Sequence, residues 1–187
     1  AATSGNTTIA GTLSVTGATT LSANLAMGGN TITGLADPVN PQDAATKNYV
    51  DAAVAGLHVH APCNVATTGN IATLSGGSTA YNNGSSGVGA TITITGGSLT
   101  TIDSVSLTSN MRVLVKNEAN AVWNGIYTYA NTTTLVRATD LDTDAEAAGG
   151  DFTFITSGST YADTGWVQTT DAPVIGTDNI VFSQFSG

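Results

Sequence analysis

NTITGLADPVNPQDAATKNYVDAAVAGL, residues 30–57, separates two parts of the chain that differ in composition. A Thr- and Gly-rich segment precedes it, and a longer segment rich in strand-forming residues follows it. We predict a helix here, with Asn40 as the N-cap, Pro41 at the first helical position and a stop at Gly56. The apolar residues at helical spacing are Tyr49, Val50, Ala53, Val54 and Leu57.

This apolar stripe needs a partner, because a helix of about four turns is marginal in water unless its apolar face is packed. Read as heptads, Thr46 and Ala53 occupy one seam position, and Val50 and Leu57 occupy the other. The partner is either a short parallel bundle of identical chains or the C-terminal part of the same chain. The spacing leaves both open, because two heptads are too few to identify a coiled coil.

Residues 7–30 contain an internal repeat with a period of about twelve residues. TTIAGTLSVTGA, residues 7–18, aligns with TTLSANLAMGGN, residues 19–30. Each copy carries two apolar residues separated by one position and closed by glycine, which is typical of a short strand and a turn. Such a segment cannot bury enough surface alone to offset its chain entropy, so we predict that it folds only by stacking or by winding with copies of itself. The alternative is a disordered linker.

The charge balance excludes two classes of partner. The chain has 13 acidic and 4 basic residues and a formal net charge of −9. Such a surface repels the phosphates of nucleic acids and of anionic membranes, so we predict binding to neither. No apolar run reaches the roughly 18 residues of a membrane span, and no signal peptide is visible. Because the chain opens at Ala1, we interpret it as a window of a longer polypeptide or as a processed product.

The segment beyond residue 58 alternates short apolar runs with Gly-, Asn- and Asp-rich turns. This pattern is typical of an antiparallel β-sandwich or a barrel-like module. We predict exposed loops at residues 76–89, 117–124 and 140–151. The predicted strands are residues 63–68, 71–74, 90–95, 102–107, 111–116, 126–130, 134–138, 152–156, 166–169 and 180–185.

His58 and His60 are candidate metal ligands. In an extended segment, residues two apart face the same side. If that side faced a threefold axis, three copies would supply six imidazoles, enough for an octahedral transition-metal site. The alternative is that these histidines only form hydrogen bonds at the surface.

Four acidic residues imitate the spacing of a calcium-binding loop. They are Asp140, Asp142, Asp144 and Asp151. Position six of this pattern is Ala145 rather than glycine, and position twelve is aspartate rather than glutamate, so both fixed features of the EF-hand are missing. The alternative is a solvated acidic turn in which Asp140 pairs with Arg137.

Catalytic chemistry has little support in the sequence. The G-x-S-x-G nucleophile motif is not present. The single cysteine, Cys63, excludes an intrachain disulfide and has no basic neighbour in sequence that would favour a thiolate. We therefore predict no catalytic residues, no enzymatic activity and no cofactor.

Two parts of the chain resemble proteins of bacteriophage tails. GLADP, residues 34–38, and PQDAATKNYVD, residues 41–51, resemble a motif that recurs in tail-fibre proteins, where it joins a β-structured shaft to the next module. The segments YNNG, GVGAT, RVLVKN, NGIY, RATD and FSQFSG, found in that order between residues 81 and 187, resemble a β-rich module of phage tail and fibre proteins. Ser104 and Asn110 depart from the Asp-Gly and Gly-Asp steps usual in that module.

The resemblance implies a parallel homotrimer, which favours the bundle of identical chains. We therefore predict a mainly β protein with a trimeric β-repeat shaft at residues 1–36, a short three-helix coiled-coil junction at residues 37–57 and a β-rich module at residues 58–187. The trimer contacts would be Tyr49, Val50, Ala53, Val54 and Leu57.

The function implied by the resemblance is that of a structural protein of the virion, located in the phage tail and acting in host attachment or fibre assembly. Its partners would be its own copies, other tail or baseplate proteins, and a glycan or protein of the host surface. The alternatives are a polysaccharide depolymerase tailspike, which needs two facing carboxylates, and a non-viral trimeric bacterial adhesin.

Overall fold

The computed structural model describes the backbone of residues 10–54 and 59–187, and the side chains of residues 10–50 and 59–187. The chain divides into two compact units, Ala1–Thr46 and Lys47–Gly187. In the described part of the chain, no helix is long and apolar enough to span a membrane.

The first unit contains bends and turns but no helix or strand within its described residues, 10–46. One turn is closed by Asn30, whose backbone N–H donates to the Met27 carbonyl at 3.0 Å across two glycines of positive φ, Gly28 and Gly29. The predicted strands of the shaft are therefore not formed in this part of a single chain. A strand requires a neighbour that pairs with its backbone N–H and C=O groups, and one copy does not supply it here.

Helix α1 spans Lys47–Val54 and begins later in the chain than predicted. The prediction that it begins at Asn40 and Pro41 was wrong, because Asp43 instead closes a separate turn. Its carboxylate accepts the backbone N–H groups of Val39 at 2.9 Å and Asn40 at 2.8 Å. The hydrogen bonds from Asn40 and Val39 lower the pKa of Asp43. The described residues of this single chain show no three-helix coiled coil, and the predicted stop at Gly56 lies outside them.

The second unit is built mainly of β-strands, which confirms the predicted mainly β class. The strands are β1 (Val65–Ala66), β2 (Ser78–Asn82), β3 (Thr91–Thr95), β4 (Thr101–Ile102), β5 (Val105–Ser106), β6 (Arg112–Val115), β7 (Gly125–Asn131), β8 (Thr134–Arg137), β9 (Phe152–Phe154), β10 (Gly165–Gln168) and β11 (Phe182–Ser186). A short helix, α2 (Ile71–Ser75), and a 3₁₀ turn (Ala121–Trp123) interrupt them.

The strands form a six-stranded sheet in the order β1-β6-β7-β8-β3-β2, a three-stranded sheet in the order β11-β10-β9, and the hairpin β4-β5. Neighbouring strands are antiparallel except for β1 and β6, which are parallel. Residues 63 and 59 extend the three-stranded sheet by isolated parallel bridges, from Cys63 to Ile155 and from Val59 to Phe152.

Strands β6 and β7 are buried on both faces and divide the core in two. Successive residues of a strand point to opposite faces, so the paired residues Val113 and Tyr127 enter one core, and Leu114 and Ile126 enter the other. The core that contains Leu114 also contains Trp166 of β10, so this core lies between the two larger sheets.

Three sequence predictions in this unit were wrong. Residues 102–107 are not one strand, because the chain turns at Asp103 and Ser104 within the hairpin β4-β5. Residues 71–74 form helix α2 rather than a strand, because the Asn70 side chain accepts the Thr73 N–H at 2.8 Å and Gly76 ends the helix in the left-handed conformation. Residues 76–89 are not all loop, because Ser78–Asn82 forms edge strand β2 against β3.

We expect Leu114→Ala to lower the free energy of unfolding by about 2–5 kcal/mol, because Leu114 is fully buried in the core between the sheets. Val88→Ala is the control, since Val88 is exposed and should change the free energy by less than about 0.5 kcal/mol. Denaturant unfolding at one protein concentration measures both. Equal effects of the two substitutions would contradict the assignment of the core.

Candidate functional site

Large apolar side chains are exposed along the described part of the first unit and on α1. They are Leu13, Val15, Leu21, Leu25, Ile32, Leu35, Val39, Tyr49 and Val50. Leu25 is 62% exposed and Val39 is 89% exposed. Single exposed apolar residues are ordinary, whereas contiguous exposed apolar patches mark sites of interaction.

The predicted trimer contacts are only partly within the described side chains. Tyr49 is 41% exposed and Val50 is 48% exposed on α1. The side chains of Ala53 and Val54 lie outside the described residues although their backbone belongs to α1, and Leu57 lies outside them altogether. The trimeric use of these residues therefore stays a prediction.

A second exposed apolar surface lies on the three-stranded sheet, and we call it the aromatic face. Its members are Val59, Phe152, Phe154, Val167 and Phe185. Val59 pairs with Phe152, and Phe152 pairs with Val167, so these side chains share one side of the sheet. Val59, Phe154 and Phe185 are 52%, 43% and 51% exposed.

The rings of the aromatic face are mutually supported. Phe152, Phe154 and Phe185 meet edge to face, with all three pairs of ring centroids 5.8–5.9 Å apart. Gly165 allows the Phe185 ring to lie across β10, because a Cβ at position 165 would come within 2.5 Å of that ring. Offset and edge-to-face pairs of this kind are favourable beyond the area that they bury.

His60 lies in a partly buried polar cluster that the sequence analysis did not predict. Its Nε2 is 3.4 Å from Asp151 Oδ2, and its Nδ1 is 3.8 Å from Asp140 Oδ2. Arg112 donates from Nη2 to the same Asp140 oxygen at 2.8 Å. Burial disfavours the charged form of Asp140, but the hydrogen bond and the positive charge of Arg112 prevail and lower its pKa.

This cluster bears on the predicted metal site. The His60 side chain is 9% exposed and points toward carboxylates of its own chain, whereas His58 lies outside the described residues. Within the described residues, no group of three or more His, Cys, Asp or Glu side chains is arranged to hold a metal ion. A site shared between chains at His58 and His60 stays a prediction, and elemental analysis for iron, zinc and nickel tests it.

The four acids with calcium-loop spacing do not share one set of partners, although Asp140 and Asp151 both lie near His60. Asp140 contacts Arg112, Asp151 accepts the Ala148 N–H at 2.6 Å, and Asp144 accepts the Ile175 N–H at 2.8 Å. Asp142 is 5% exposed, and burial together with the negative charge of Glu146 raises its pKa. The expectation of a solvated acidic turn was therefore wrong for Asp142 and Asp151, which are buried.

Arg137 does not pair with Asp140. It is buried, and its guanidinium donates to the hydroxyl oxygens of Tyr127 at 3.0 Å and Tyr81 at 3.2 Å and to the Asn124 carbonyl at 3.2 Å. Its carbon centre lies 4.9 Å from the centre of the Tyr127 ring, which adds a cation–π contact. Arg137 therefore links β8 to the turn before β7.

Two of the loops that were predicted to be exposed contain buried residues. Glu118, in the 117–124 loop, is buried and accepts the Ile71 N–H at the start of α2 at 2.7 Å. Burial raises the pKa of Glu118. In the 140–151 loop, Leu141 and Ala147 are fully buried. These two loops therefore belong to the framework of the module as well as to its surface.

A further polar cluster surrounds Asp103, in the turn between β4 and β5. Its carboxylate accepts the N–H groups of Tyr161 at 2.9 Å and Thr160 at 3.0 Å and the hydroxyl of Ser159 at 3.1 Å. Burial opposes ionisation, but these hydrogen bonds prevail and hold the pKa of Asp103 below its ordinary value. The Asp103 carboxylate thus holds the 159–161 loop against the hairpin.

Lys116 lies beside this loop. Its Nζ is 4.2 Å from the centre of the Tyr161 ring and 4.3 Å from that of Trp166, and it donates to Asn117 Oδ1 at 2.9 Å. Burial lowers the pKa of Lys116 to about 8. Cys63 is fully buried, and its burial raises the thiol pKa to about 11, which keeps it in the unreactive thiol form.

Comparison with known proteins gives no relative for this chain: no family model, no curated protein and no solved structure matches it.

We expect Asp103→Asn to lower the free energy of unfolding by about 1–3 kcal/mol at pH 7, because the Asn side chain replaces a charged acceptor by a neutral one. Asn also tolerates the positive φ of 48° at this position, so the turn is retained. Because the folded-state pKa of Asp103 is lowered, its stabilising effect is present above about pH 4 and is lost as the pH falls through the folded-state value. The difference between the two proteins should therefore shrink toward pH 2.

The control is Asp163→Asn, at an exposed position that also has positive φ. This substitution should change stability little at either pH. Denaturant unfolding of the three proteins across the pH range makes the measurement. Equal stability of Asp103→Asn and the unmodified chain at pH 7 would contradict the role given to the carboxylate.

Proposed function

We propose that the chain is a segment of a homotrimeric bacteriophage tail fibre, a structural protein of the virion that acts in host attachment or fibre assembly. The observation that carries the proposal is the series of exposed apolar side chains from Leu13 to Val50. Residues 34–51 resemble the junction motif of phage fibres, which implies that two further copies of the same chain cover these side chains.

The physical argument for trimerisation begins with the first unit. Its described residues form no strand or helix of their own, and their apolar side chains remain in contact with water. Burial of each large apolar side chain is worth about 1.5–3 kcal/mol, so assembly that covers several of them on each chain is strongly favoured. Winding of three copies would also give the backbone its missing hydrogen-bond partners.

Helix α1 would form the junction between shaft and module. Eight residues are too few for a helix to be stable by itself in water. Tyr49 and Val50 are exposed on it, where a neighbouring copy can cover them. Residues at the seam positions of three parallel helices would pack as knobs into holes and fix the chains in register.

The function that follows is mechanical and adhesive. Three modules held together present three copies of each surface to a host glycan or protein, or to a neighbouring tail or baseplate protein. Such display strengthens weak contacts through effective concentration and needs no chemistry of its own. The hydrogen bonds of Asp103, Asp144 and Asp151 within the module support a structural role for these acids.

The test replaces two seam residues by aspartate, as Val50→Asp together with Leu57→Asp. Charge buried between helices is costly unless it is paired, so we expect sedimentation velocity to show monomers where the unmodified chain forms trimers. The matched control is Val88→Asp together with Val174→Asp, which adds the same charge at two exposed valines of the module and should leave the trimer intact.

A trimer that survives the seam substitutions would contradict the junction assigned to α1. An unmodified chain that sediments as a monomer would contradict the proposed fibre itself.

A further inference from the structure

The aromatic face has no cover within the described chain, and we propose that it is a second trimer contact, at which the β-rich modules of three copies meet about a common axis. This inference rests on the proposed homotrimer and extends it from the helix into the module. The occupants of the face are thus the aromatic faces of the other two copies.

The chemistry of the face fits an apolar partner. A hollow of about 280 Å³ lies on it and is lined by Phe152, Val167 and Phe185. The lining offers no charged side chain and no side-chain hydrogen-bond donor or acceptor. A sugar or an ion needs such groups for recognition, whereas an apolar side chain from another copy needs none.

The position of the face along the chain favours a second copy over another apolar partner. Val59, at the edge of the face, follows the last residue of α1, Val54, by five positions. Five residues span at most about 18 Å. Three helices joined at a common axis would therefore keep each Val59 within about 18 Å of Val54 in its own helix, which allows the three faces to meet.

Charge favours the same arrangement. Each chain carries a net charge of −9, so copies repel one another over most orientations. The five residues of the aromatic face are uncharged, so this surface can be brought against its copies without placing acid against acid. Charged residues are similarly depleted from the cores of known interfaces, where aromatic residues are enriched.

The aromatic rings of the face are already ordered in a single chain. The edge-to-face arrangement of Phe152, Phe154 and Phe185, with Gly165 beneath the Phe185 ring, restricts their rotamers in a single chain. Side chains that are already ordered lose little conformational entropy on association. An arrangement that exposes ordered aromatic rings is typical of the anchor residues of an interface.

The experiment uses chemical crosslinking of the full chain. Ser183 is exposed and pairs with Val167, so its side chain lies on the same side of the sheet as the aromatic face. Ser183→Cys keeps every aromatic ring, and the native Cys63 is buried and unreactive. A short bifunctional maleimide should therefore link two copies of this variant through the introduced thiols, giving a covalent dimer on a denaturing gel. Ser109→Cys, at an exposed turn outside the face, is the control and should give none.

A second variant measures the contribution of the rings. Phe185→Ser should raise the concentration at which trimers dissociate by at least about tenfold, because it removes an aromatic anchor from each of three copies. Val88→Ser, at a similarly exposed site elsewhere, should leave that concentration unchanged. Sedimentation velocity over a dilution series measures both.

The outcomes separate this inference from the proposed function. One outcome would overturn the aromatic contact but not the proposed fibre. In it, the trimers depend on Val50 and Leu57, Ser183→Cys gives no crosslink, and Phe185→Ser does not weaken the trimers. A monomeric unmodified chain would overturn both. Crosslinking of Ser183→Cys together with weakened trimers in Phe185→Ser would establish the contact.

Discussion

The transfer of apolar side chains out of water is the main favourable term in folding, and the two units of this chain differ in how far one copy achieves this burial. In the module, strands β6 and β7 are covered on both faces, because their residues Leu114 and Ile126 enter one core and their residues Val113 and Tyr127 enter the other. The first unit has no such layer in its described residues, and Leu25 and Val39 remain exposed. The trimer that we propose extends to the first unit and to α1 the burial that the module already has within one chain.

Polar interactions inside the module hold its loops in place. Asp103 binds the 159–161 loop through three donors, Glu118 binds the start of α2, and Arg137 is enclosed by tyrosine hydroxyls and a carbonyl. Each of these groups is held by its own chain, which suits a module that must remain rigid while it is displayed. The rigid framework leaves the aromatic face as a preformed apolar surface, and this is the property that a contact between copies requires.

Sequence patterns predicted the elements whose signals are local. The alternation of apolar residues at 111–116 predicted a strand, and β6 lies within this range. Helix α2 was missed because Ile71 and Leu74 suggested a strand, although Asn70 and Gly76 are ordinary signals of a helix start and stop. The His60 cluster could not be predicted, since the parallel bridge from Val59 to Phe152 brings His60 beside Asp151, which is far from it in the sequence. The aromatic face was missed for a similar reason, because alternation alone does not tell which side of a strand is covered.

The mass of the unmodified chain in solution tests the central claim most directly. One chain has a mass of 18.6 kDa, so a trimer has 3 × 18.6 = 55.8 kDa. Light scattering coupled to size-exclusion chromatography should give the trimer mass, because three copies can then bury the apolar side chains that are exposed between residues 13 and 50 of one chain. A mass of 18.6 kDa that persists at high protein concentration would contradict the account, since the same side chains would then be stable in contact with water.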